Sequence, residues 1–387
     1  MTSTIQSIAM HEVFVSAKTI WAVVEVTATS GLTGLGEVTY FGREDGVRQQ
    51  LKVLQGVAAG LPVSGGEAFL RPRYRKESDR VAQVALSGLE QALIDIQAKE
   101  LGVAAHHILG GNCTSGVQVY ANINRGTADR SPAGYADRAR EAVSAGYDAL
   151  KIAPFDGVRG TSGAPVTAGI DVVLAVRDAV GRDVSINVDC HARFTEVGAK
   201  DMIRAVAEAK PFWIEQPLDE APSHRRALQR VRSFANDRGI RIAGAENDYG
   251  LDAYREIVNA ECMDVLLPDI RMGGGVREIL RIAHLVDGAG LEFSLHNPVG
   301  PVLDAISLQI ARMAPSIVML ERTFRESRIQ TEITDPAFRE PSESGFDAFD
   351  APGWGIDLCR DRVFALAPDT KTRHADFHAV GGAGQYA

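Results

Sequence analysis

A chain of 387 residues with 45% hydrophobic and 24% charged side chains has ordinary globular usage, which excludes a disordered or fibrous protein and leaves room for an α/β barrel plus a smaller companion. A formal net charge of −9 opposes a phosphate-backbone footprint, so nucleic acid is not expected as a partner. The opening MTSTIQSIAMHEVFV has no basic stretch followed by an apolar run, and nowhere do about eighteen apolar residues stand together, so neither secretion nor a membrane span is expected. Cys113, Cys190, Cys262 and Cys359 are scattered without a C-x-x-C pair, which predicts reduced thiols and a cytoplasmic protein.

The first elements are strand-like: IWAVVEVTA, the turn TSGLTG, then LGEVTYF. From Ala82 to Gly102 apolar residues recur at three-and-four spacing and the run closes on glycine, which predicts an amphipathic helix. These pieces form a small α+β module. After GGNCTSG the texture changes. Eight β-rich runs follow, VQVYAN, DALKIAP, VSINVDCH, FWIEQPL, RIAGAEN, MDVLLPD, EFSLHNP and IVMLERT. They recur at roughly 25 to 35 residues with helical stretches between them, the length that a strand, a crossover helix and loops require. The fold class is therefore α/β: a TIM-like barrel over residues 116–334, a capping module over 1–115, and a tail over 335–387 that packs back on that module.

In a parallel barrel the C-terminal strand ends open into one shared cavity, so the last residues of each run are the candidates for chemistry. The third run ends in Asp189, the fourth in Glu215 and the fifth in Glu246. Any one strand-end acid is as readily a structural or solvated residue. Three in succession present hard oxygen donors suited to a divalent ion such as Mg2+, and without a cation such acids would repel one another. The sixth run ends at Asp269 and the seventh at His296. An aspartate beside an imidazole fixes its tautomer and raises its basicity, which makes a general base. Lys151 stands at the end of the second run and Glu321 in the eighth. Cys190 is read as a strand residue facing the helices, with no chemical role.

Over its whole length the chain resembles the mandelate racemase subgroup of the enolase superfamily, on Asp189, Glu215 in WIEQPL, Glu246 in AGAEN, Asp269 in LLPD before GGG, His296 in HNPVGP, and Glu321. The resemblance implies a modified (β/α)7β barrel under an α+β cap, Mg2+ held by Asp189, Glu215 and Glu246, and proton abstraction next to a substrate carboxylate. Racemases of this group carry Lys-x-Lys at the end of the second strand. Here the triplet is Lys151-Ile152-Ala153, and Ala153 moves no proton, so Lys151 is read as an electrostatic contact to the substrate carboxylate.

The stretch Asp189-Cys190-His191-Ala192-Arg193 is similar to the Asp-x-His motif of galactonate and mannonate dehydratases, in which the histidine is the acid that protonates a departing 3-hydroxyl. Strand alternation is expected to point His191 into the cavity beside Asp189. The implied activity is that of an acid-sugar dehydratase, a hydro-lyase, acting as a homo-oligomer on a small carboxylate. Arg193, Tyr40 and Arg43 are candidate substrate contacts, the last two on a cap segment over 40–45 that, with one over 11–21, is expected to form a lid. The loop PFDGVRGTSGAPVTAG after Lys151 reads as a flexible connection or a flap.

The runner-up is a racemase or epimerase using His296 with Lys151. A metal-dependent hydrolase is disfavoured because VYANIN lacks His-x-His, and a pocket that only binds sugar acids would not require the Asp269 and His296 pairing.

Overall fold

The computed structural model describes residues 3–111, 116–158, 163–337 and 350–368. The expected module boundary at 115, the middle of the 154–169 loop and much of the tail (338–349 and 369–387) lie outside the described residues.

The chain begins with an antiparallel sheet of β1 (Ile5–Ser16), β2 (Thr19–Ala28) and β3 (Thr33–Glu37). Nearly all of β2 is buried because both of its faces are covered. Ala22, Val24, Val26 and Ala28 pack on the cap's own helices, while Trp21 and Val23 join the core that continues into the barrel. The cap helices are α1 (Glu44–Ala58), α2 (Gly66–Tyr74) and α3 (Arg80–Leu101), followed by the short α4 (Ala105–Leu109). Helix α3 starts where the Asp79 carboxylate accepts the Ala82 N–H at 3.0 Å and stops at Gly102, whose φ of +68° lies in the left-handed region.

Each of the eight β-rich runs is a strand. They are β4 (Val119–Asn122), β5 (Ala149–Ile152), β6 (Ser185–Asp189), β7 (Trp213–Glu215), β8 (Arg241–Gly244), β9 (Val265–Leu266), β10 (Glu292–Leu295) and β11 (Ile317–Thr323). Between them run α5 (Pro132–Ser144), α6 (Ala164–Val180), α7 (Glu196–Val206), α8 (Arg225–Asn236), α9 (Gly250–Ala260), α10 (Val276–Gly288) and α11 (Pro301–Met313). The ring closes in the order β10, β11, β4, β5, β6, β7, β8, β9 with all neighbours parallel, a (β/α)7β barrel.

The two-residue period of the strands sorts the side chains. Tyr120, Ala149, Trp213, Ala243, Val265, Leu267 and Met319 form a separate apolar cluster, whereas Ala121, Leu150, Ile152, Ile186, Val188, Ile214 and Ile242 belong to the large cluster shared with the helices. Cys190, 1% exposed, falls in that second group, so its thiol faces the helices.

Cap and barrel are joined by buried polar contacts. Glu37, at the end of β3, accepts the Gly300 and Leu303 N–H groups at 2.8 Å each, at the start of α11. Gly275 sits against α3 with φ +85°, where a Cβ would lie 1.9 Å from Glu90 Oε2, so both its backbone and its surroundings call for glycine. The described part of the tail returns to the cap. The fully buried Trp354 donates its backbone N–H to Asp95 at 2.8 Å and its indole N–H to Leu35 O at 3.2 Å, and Arg360 pairs with Glu25 at 3.0 Å. No described helix is long and apolar enough to cross a membrane.

Candidate active site

Lys151 is the next-to-last residue of β5, Asp189 the last of β6 and Glu215 the last of β7. Glu246 follows β8 through Ala245 at φ +75°, Asp269 follows β9, and His296 follows β10 directly. Pairing of Lys151 with Asn187 and of Asp189 with Glu215 keeps these side chains at neighbouring levels of the ring.

Lys151, 2% exposed, donates to Glu215 Oε1 at 2.7 Å and lies 3.0 Å from Glu321 Oε1 and 3.6 Å from Asp189 Oδ2. Burial works to lower the pKa of its ammonium group, but Glu215, Glu321 and Asp189 outweigh burial and hold it well above the ordinary lysine range. Burial pushes the Glu215 carboxyl upward, with Asp189, Glu321 and Glu246 adding to the effect against the pull of Lys151. Asp189 goes the other way: burial opposes its charge, and His191 with Lys151 overcome that and hold it below the usual carboxylate range.

Across the ring, His296 Nδ1 lies 2.9 Å from Asp269 Oδ2 and Nε2 lies 3.0 Å from Glu246 Oε2. Desolvation lowers this imidazole's pKa, and Glu246, Asp269 and Glu321 more than offset it, carrying it up to about 9. Asp269 stays ionised in a dry site because Arg271 grips it: Nε donates to Oδ1 at 3.0 Å, and Nη2 pairs with Oδ2. The same guanidinium donates to the Thr39 carbonyl of the cap.

His191 joins Asp189 at the barrel mouth, though not by strand alternation. Strand β6 ends at Asp189, and His191 and Ala192 lie at φ +46° and +56°, a left-handed turn that swings the ring back toward Asp189. Its Nε2 is 3.0 Å from Asp189 Oδ2, and its Nδ1 is 2.6 Å from Asp156 Oδ1 on the loop after β5. Desolvation lowers this imidazole's pKa, while Asp189 and Asp156 together raise it to about 10.

Among the described residues no group of three or more His, Cys, Asp or Glu side chains is arranged to hold a metal ion; Asp189, Glu215 and Glu246 each face a Lys or His instead. The donor chemistry nevertheless fits a hard divalent cation. Three oxygen-bearing side chains stand at adjacent strand ends, and their mutual repulsion adds to burial in raising the Glu215 carboxyl.

The candidate substrate contacts are dispersed. Tyr40, 3% exposed, packs in the apolar cluster of the cap, and Arg43 is exposed at the start of α1. Arg193 is half-buried, with its Nε buried and without a hydrogen-bond partner. Both expected lid segments meet the barrel mouth. Arg125, just after β4, donates to Thr19 Oγ1 at 3.0 Å and stacks 4.0 Å above the Phe41 ring, and Glu326, just after β11, accepts from Ser16 at 3.0 Å. Arg125, Glu326, Asp156 and Arg271 were not singled out from the sequence, although each stands within a few residues of a strand's C-terminal end.

An α+β cap closing a (β/α)7β barrel with acids and bases at successive strand ends is the architecture of enolase-type barrels. Residues 134–362 match the enolase C-terminal domain-like family and residues 4–110 match the mandelate racemase / muconate lactonizing enzyme N-terminal domain, and the chain belongs to that family.

The D-gluconate dehydratase of Thermoproteus tenax is 31% identical over 274 residues, 70% of this chain but only 54% of that protein's length. The D-galactonate dehydratase of Variovorax paradoxus (strain S110) is 27% identical over 377 residues, 92% of this chain and 95% of that one. Among solved structures, an enolase superfamily member from Salmonella Typhimurium superposes with a TM-score of 0.84 at 25% identity, covering 95% of this chain and 98% of the other. The mandelate racemase/muconate lactonizing enzyme of Jannaschia sp. CCS1 gives a TM-score of 0.83 at 25% identity with the same coverage.

Proposed function

We propose that this protein is a Mg2+-dependent acid-sugar dehydratase that removes the proton next to the substrate carboxylate and expels the neighbouring 3-hydroxyl as water. The observation that carries the reading is the placement of two histidines, after β6 and β10, on opposite walls of the ring, each with a carboxylate on Nδ1. Similarity to the named D-gluconate and D-galactonate dehydratases supports it.

A divalent ion held by Asp189, Glu215 and Glu246 would draw the charge of Glu246 away from His296 and neutralise the charge that builds on the substrate carboxylate. His296 Nε2 takes the α-proton while Asp269 holds Nδ1, and the C–H electron pair passes toward the carboxylate. Lys151, kept cationic by its acidic neighbours, stabilises the same developing charge. As the electrons return, the bond from C3 to oxygen breaks and His191 supplies the proton that makes the leaving group water. The resulting enol becomes a 2-keto-3-deoxy acid. Acid and base on opposite walls favour departure of proton and hydroxyl from opposite faces.

The alternative, epimerisation by His296 and Lys151, is weakened by what surrounds Lys151: an ammonium held by three carboxylates is a poor base. The proposal takes the protein as a cytoplasmic homo-oligomer, in keeping with its free Cys190, Cys262 and Cys359. The test is a panel of aldonic and aldaric acids incubated with the protein and Mg2+ in deuterated water, read for keto acid and for α-deuterium. Keto acid formed only with the metal supports the reading. Deuterium incorporation with every hydroxyl retained would favour the epimerase, and neither signal from any acid would end both.

A further inference from the structure

We propose that Asp156 is a positioning residue that aims the His191 ring, so that without it the enzyme still removes the α-hydrogen but expels the hydroxyl poorly. This rests on the dehydratase reading above and adds a residue to it.

The ring of His191 needs such a support. It sits on a left-handed turn beyond the end of β6, its side chain is 19% exposed, and its two ring nitrogens are paired to two carboxylates. One of these, Asp189, is a proposed metal ligand and is committed elsewhere when the site is loaded. The other, Asp156, remains to fix the ring. A carboxylate on Nδ1 determines which nitrogen carries the proton there and leaves Nε2 directed at Asp189 across the barrel mouth, the same relation that Asp269 has to His296, whose Nε2 faces Glu246.

Asp156 is itself aimed. Arg130 donates to its Oδ2 at 2.7 Å, and the same guanidinium donates to the carbonyls of Asn124 at 3.0 Å and Ala153 at 3.3 Å, and lies 5.1 Å above the Tyr135 ring. The relay therefore runs across three neighbouring strands, from the loop after β4 through the loop after β5 to the end of β6. The Arg130 and Asp156 side chains are 41% and 45% exposed, so the pair contributes little to folding.

The test compares wild type, Asp156→Asn, Asp156→Glu and His191→Asn on an acid sugar that the wild type dehydrates, measuring keto-acid formation and α-hydrogen exchange with deuterated solvent side by side. Asp156→Asn is expected to lower the kcat of dehydration about 10- to 100-fold with KM little changed and exchange retained, and Asp156→Glu to restore part of the loss. Nitrogen NMR of the imidazoles, which needs no turnover, is expected to show the His191 Nδ1–H bond weakened or its tautomer changed in Asp156→Asn, where a neutral amide replaces the carboxylate, while the His296 signals stay in place. Exchange and dehydration falling in step, or an unchanged His191 spectrum, would overturn the role of Asp156 and leave the dehydratase reading standing. A wild type that neither dehydrates nor exchanges any acid sugar sinks that reading, and this proposal with it.

Discussion

The two walls of the barrel mouth solve one problem in different ways. On the β10 wall, His296 is 7% exposed and its partner Asp269 is anchored by Arg271, which also reaches the Thr39 carbonyl of the cap. On the β6 wall, His191 is more open and its partner Asp156 is held by an arginine from a neighbouring loop. The first histidine is oriented by the fold itself, through a charge network sealed between cap and barrel. The second is oriented by a chain of loop residues at the rim. Changes on the β10 wall should therefore disturb stability and chemistry together, whereas changes on the β6 wall should alter chemistry while the fold is maintained.

The sharpest way to break this contrast is at the histidines. His296→Asn should slow dehydration and α-hydrogen exchange together, each by about 10²- to 10⁴-fold, as measured by keto-acid assay and deuterium incorporation. His191→Asn should reduce dehydration over a similar range, about 10²- to 10⁴-fold, while exchange continues; loss of both would place the two histidines on the same step and remove the contrast.

Arg271→Met leaves Asp269 as a buried charge with one cationic partner fewer and should lower unfolding stability by about 3–5 kcal/mol, read from urea denaturation. A variant as stable as wild type would show that the network does not carry the fold. Arg130→Ala has the smallest expected effect on stability, about 0–1 kcal/mol, because the pair is half exposed, and it should still slow dehydration more than exchange.

Much of this was legible in the sequence because it follows from short-range rules. Alternating residues such as Leu150 and Lys151, or Val188 and Asp189, face opposite sides of a strand wherever it lies, so the inward residues at the strand ends could be named in advance. The placement of His191 was anticipated for a different reason from the one that holds: alternation ends with β6, and a left-handed turn of non-glycine residues takes over. Tyr40 illustrates the converse. Its polar hydroxyl suggested a substrate contact, and the ring instead packs in the core of the cap, a choice made by the helices folded over it.

The sequence alone determined the barrel, its cap and the order of acids around the mouth, because strand period, helix length and turn chemistry act over a few residues. Only the tertiary structure decided what aims each of those groups. Arg271 meets a carbonyl 232 residues away, His191 a carboxylate 35 residues away, and that carboxylate an arginine 26 residues away. Such meetings depend on the paths of loops and on how the cap seats against the barrel, and no local pattern encodes either.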